Sequence, residues 1–170
     1  MKPATKGELA AVLWTLCTQG MKELREVIGV HVAGYEKQTL FGPDSRFFES
    51  ATLHLCLAMA AISGEPELQG SLFSSCIDHV REAGGTMYEI QNFLGMVNER
   101  KVDYTAAMQR RQEGDEDAFF EELVEHLVSG GTEDRSVEGN VLLHMDCDNH
   151  VDAFLPRCVE LRAQYSLIPG

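Results

Sequence analysis

The stretch SRFFESATLHLCLAMAAI, from Ser45 to Ile62, places apolar side chains on nearly every side of the helix it would form. Phe47, Phe48, Ala51, Leu53, Leu55, Leu57, Met59 and Ile62 leave no broad face for water. A helix of that kind has to be surrounded. The rest of the chain must therefore supply elements with one apolar face each, and this second helix is expected at the centre of the core.

Its ends are legible. Phe41-Gly42-Pro43-Asp44-Ser45 holds a residue that cannot continue a helix, followed by two that can cap the next one. Ser63-Gly64-Glu65-Pro66 forms the other boundary, with Pro66 suited to the first position of a third helix that reaches about Glu82. Gly84 and Gly85 then allow a left-handed stop.

The covering elements are helical too. Thr5-Lys6-Gly7-Glu8 and Thr86-Met87-Tyr88-Glu89 fit the capping box, in which hydroxyl and carboxylate satisfy free backbone N–H groups reciprocally. After the first box, Leu9, Leu13, Leu16, Cys17, Leu24 and Ile28 recur mostly at three- and four-residue steps, and this helix runs to about Thr39 or breaks near Gly29 and Gly34. The second box opens a helix to about Asn98. Asp103 is expected to cap a short fifth helix and Asp115 a sixth, which Gly130-Gly131 ends. GGTEDRSVEGN reads as a loop. A last helix from about Asn140 to Tyr165 is kinked or split by Pro156. No strand pair stands out. The reading is all-α: one domain over residues 1–170, a bundle of about six or seven helices.

Composition narrows the function. Net charge is −13, which repels phosphate backbones and disfavours nucleic acid while favouring a basic protein surface as partner. The five cysteines are odd in number and irregular in spacing, so a disulfide framework is not expected. No apolar run is long enough for a membrane span, and the N-terminal segment reads as the start of a helix. A reducing cytoplasm is the expected compartment. Phosphate-binding, dinucleotide-binding and serine-hydrolase motifs are absent, which leans away from an enzyme.

Two short segments resemble each other. FFESATLHL begins at Phe47 and FFEELVEHL at Phe119, and Cys76-Ile77-Asp78-His79-Val80 matches Cys147-Asp148-Asn149-His150-Val151. Helix geometry tests whether this repeat carries a metal. At ~100° per residue, Glu49 and His54 lie about 140° apart, as do Glu121 and His126, so neither pair holds one ion. A di-iron carboxylate bundle would need Glu-x-x-His where this chain has Cys-x-x-His. Cys-x-x-His keeps both side chains on one face. If their helices are neighbours, Cys76, His79, Cys147 and His150 could converge on zinc or iron, with His144 as a substitute ligand. The alternative is plain packing, in which the cysteines serve as small buried hydrophobes and no cofactor is held.

The remaining signal is electrostatic. GDEDAFFEELVEH carries six carboxylates in thirteen residues: Asp115, Glu116, Asp117, Glu121, Glu122 and Glu125. They read either as a solvated helix laced by ion pairs to Arg100, Lys101, Arg110 and Arg111, or as a face that docks a basic partner. The leading expectation is a non-catalytic, acidic protein-binding or regulatory module. The metal-binding bundle is the alternative.

Overall fold

A computed structural model describes residues 1–32, 35, 47–123, 126–127 and 141–169. Among them are six helices: α1 (Lys6–His31), α2 (Phe47–Ala61), α3 (Pro66–Glu82), α4 (Met87–Gln112), α5 (Ala118–Leu123) and α6 (Val141–Ala163). The molecule is an all-α bundle. Two short strands, β1 (Lys2–Ala4) and β2 (Tyr165–Leu167), pair in parallel and tie the two ends of the chain together. At three residues each, they are too short to show the alternation that marks a strand in sequence.

Both capping boxes form. Thr5 Oγ1 accepts from the Glu8 amide while the Glu8 carboxylate accepts from the Thr5 amide, and Thr86 and Glu89 do the same. Pro66 opens α3, and Gly84 after its end takes a left-handed φ of +91°.

α1 ends at His31, the earlier of the two expected ends, between Gly29 and Gly34. Two boundaries differ from expectation. The expected break after Asn98 does not occur, so α4 is one helix of 26 residues. Asp103 lies within it, where Arg100 one turn earlier reaches its carboxylate, and no glycine or proline interrupts Asn98–Tyr104. The stop comes instead at Gly114, with φ +107°, where the Asp115 amide returns to the Arg110 carbonyl. α5 then starts at Ala118, after Asp117 rather than directly after Asp115. α6 continues through Pro156, whose ring nitrogen has no hydrogen to donate. The segment expected as a loop, Gly130–Asn140, lies outside the described residues, as do Asp44 and Ser45.

α2 packs against α1, α3, α4 and α6, and Leu53, Leu55 and Ala58 are fully buried. Its apolar perimeter is thus covered by four helices. α1 packs against both α3 and α6, which do not pack along each other. α5 closes the bundle against α4 and also touches α6.

Candidate functional site

The two halves of the repeat lead to different surroundings. His54 is fully buried. Its Nδ1–H donates to the Ser50 carbonyl at 2.7 Å, because a carbonyl can only accept. In the neutral ring Nε2 must then accept, and its partner is His150 Nε2 at 3.0 Å. The α6 histidine therefore donates through Nε2–H. Phe154 stands edge-on to His54, with ring centroids 4.8 Å apart. Burial pushes His54 down to about 3, and the neighbouring His150 adds to the effect. His150 is also lowered by burial, with Glu23 opposing and Arg157 assisting. The pair is a neutral polar link inside the core.

The Cys-x-x-His pairs do not converge. Cys76 and His79 lie on α3, Cys147 and His150 on α6, and α1 packs between those helices. His79 packs against the rings of Trp14 and Phe47, whereas His150 pairs with His54. The neighbouring-helix condition for a four-ligand zinc or iron site is not met. Burial pushes the Cys76 and Cys147 thiols up to about 12, Asp148 and Asp146 adding to it at Cys147. Neutral thiols suit a packed interior. His144 is turned the other way, to Asp117 and Asp148.

Among the described residues, one group of three has ligand atoms that a single ion could span: Asp103, Glu122 and His126. His126 Nε2 lies 3.2 Å from Glu122 Oε2 and 3.7 Å from Asp103 Oδ2. α4 supplies Asp103, α5 supplies Glu122, and His126 follows in a π-type turn. Around them, Arg100 binds Glu49 of α2 through both Nε and Nη2. Tyr104 stands edge-on to His126, and its hydroxyl is buried without a hydrogen-bond partner among the described residues. The sequence held a signal for part of this group. Glu122 and His126 are four apart and share a helix face, unlike Glu121 and His126. Asp103 was assigned to a cap instead.

The acidic stretch divides. Asp115, Glu116, Asp117 and Glu121 are exposed, Glu121 with 66% of its side chain open to solvent. Glu122 turns inward, and its side chain is 23% exposed. Arg110 approaches Asp115, Glu121 and Glu122 at 3.9, 3.9 and 3.6 Å. His144 Nδ1 stands 3.2 Å from Asp117. Glu125 lies outside the described residues. The ion-pair lacing and the outward acidic surface are therefore both present, and they overlap at Asp115, Asp117 and Glu121.

Beside the acidic turn lies an open groove of about 430 Å³. Its floor is apolar, formed by Leu57, Met108, Phe119, Val151, Leu155 and Pro156. Arg111 lines it and binds Asp152 across to α6 through two nitrogens, each at 3.1 Å. Gln112 and Phe119 both line the groove, and the turn Glu113–Asp117 joins them in sequence. No described helix is long and apolar enough to cross a membrane. Comparisons with protein-family models, curated proteins and solved structures find no match.

Proposed function

We propose that this chain is a non-catalytic protein-binding module whose partner presents a basic, amphipathic surface. The observation that carries the reading is the apolar-floored groove, with exposed Asp115, Glu116 and Asp117 in the turn that joins its lining residues Gln112 and Phe119 and serves as its rim in this reading. Apolar side chains of a partner helix fit such a floor, and its basic residues face the acidic rim. Charge of this kind speeds encounter and sets orientation more than it adds affinity. A net charge of −13 works in the same direction.

The test uses a labelled amphipathic peptide with leucine at helical spacing and lysine elsewhere, and its glutamate counterpart. The lysine peptide should bind, and binding should weaken as salt rises, since exposed charges are screened beyond ~10 Å at about 0.1 M. Asp115→Asn combined with Glu116→Gln and Asp117→Asn should weaken it further. Equal binding of both peptides, or no effect of the triple substitution, rules this docking surface out.

A further inference from the structure

We propose that Asp103, Glu122 and His126 bind a first-row divalent transition-metal ion. The inference is independent of protein docking and uses none of the rim residues tested above. At metal–ligand distances of about 2.0–2.2 Å, neighbouring donor atoms stand about 3.0–3.5 Å apart. His126 Nε2 is 3.2 Å from Glu122 Oε2 and 3.7 Å from Asp103 Oδ2, and all three ligand atoms lie within 4.8 Å of one another. Small side-chain rotations suffice to close such a site.

Two further observations point to a ligand here. One is Tyr104, 1% exposed, whose hydroxyl lacks a hydrogen-bond partner among the described residues. It stands beside His126 and within the field of Glu49, Arg100 and Glu122. A buried hydroxyl without a partner is uncommon and calls for a missing water or ion. Water on a bound ion would donate to that hydroxyl oxygen.

The other is charge. Around the group stand the carboxylates of Glu49, Asp103, Glu121 and Glu122, facing the guanidiniums of Arg100 and Arg110. The protein's own cations leave an excess of negative charge. Arg100 is anchored on Glu49 by its Nε and Nη2, so its longer 3.6 Å approach to Asp103 is the contact an incoming cation would replace.

The donor set selects the class of ion. Two carboxylate oxygens and one imidazole nitrogen suit zinc, manganese or ferrous iron better than calcium or magnesium, which favour oxygen throughout. Three protein ligands leave coordination positions for water.

Titration calorimetry of the chelator-treated full chain with zinc chloride and with manganese chloride tests the proposal. One of the two ions should bind at a single site per chain, and calcium should not compete. Outer-shell partners alone are worth 10- to 100-fold, so Asp103→Asn, Glu122→Gln and His126→Gln should each weaken binding at least about tenfold. Asp103 is the most exposed of the three, so its variant keeps the test open if another fails to fold. His144→Gln should leave binding intact. Cobalt substitution should give visible d–d bands without a thiolate charge-transfer band. No binding of either ion, loss of binding in His144→Gln, unchanged binding in folded Asp103→Asn, or a thiolate band would each overturn the assignment.

Discussion

At the scale of single residues, His54 couples stability to pH. Its folded-state pKa lies near 3, against an ordinary value of 6.5, because burial disfavours the charged ring. Between those values the unfolded chain binds a proton that the folded chain does not. Stability due to this group is therefore complete above about pH 6.5 and falls as pH drops toward 3, by on the order of 4 kcal/mol. His150, also depressed, adds a loss of the same sign. Urea unfolding at a series of pH values checks this. The slope between pH 6 and pH 4 should be shallower by about one proton in His54→Gln. An unchanged slope would mean that His54 is charged in the folded protein. The dyad was not legible in the sequence. His54 and His150 are 96 residues apart, and nothing local marks either as the other's partner.

At the scale of elements, close helix packing outweighs helix propensity at one position. Gly20 lies in α1, where an added Cβ would meet His54 Cδ2 and Phe154 Cε2 at 2.6 Å. Alanine there gains up to about 1 kcal/mol in propensity, but overpacking costs about 1–3 kcal/mol and presses on the dyad. Gly20→Ala should lower the melting temperature. Gly95→Ala in α4, with nothing within 4 Å of its Cβ, should raise it or leave it unchanged. Equal effects at both positions would show that α1 has room to shift. Leu55, fully buried in α2, gives the complementary measurement. Leu55→Ala should cost about 2–5 kcal/mol in urea unfolding. A loss under about 0.5 kcal/mol, typical of surface changes, would place α2 at the periphery. This central role was legible from the apolar perimeter of FFESATLHLCLAMAA. The length of α4 was not, because Asp103 looks like a cap locally yet is held inside the helix beside Arg100.

At the scale of the whole molecule, the core encloses the thiols. Cys17, Cys76, Cys147 and Cys158 are buried, and Cys56 is partly so. Burial raises all five, Cys56 to about 11 and Cys158 to about 12. Thiolate is the reactive form, so an aromatic disulfide reagent should label the native protein slowly at neutral pH and all five positions rapidly in urea. Fast native labelling at any site would reveal local opening there. Ion pairs distribute over the same scale: Glu23–Arg157 joins α1 to α6, Glu65–Arg162 joins the start of α3 to the end of α6, and Arg111–Asp152 joins α4 to α6.

What the sequence by itself determined is local. Capping boxes at Thr5 and Thr86, Pro66 at a first turn and Gly84 at a stop depend on hydrogen bonds and dihedral angles within a few residues, and those are written in adjacent letters. The all-α class followed from the same spacing. The tertiary structure decided which side chains meet. It put α1 between the two Cys-x-x-His helices, so similar segments received different partners. It brought Asp103 of α4 to Glu122 and His126, and His54 of α2 to His150 of α6. Such meetings depend on how whole helix faces pack, and the identity of a face's neighbour is encoded by the combined apolar surfaces of all six helices rather than by any short run of residues.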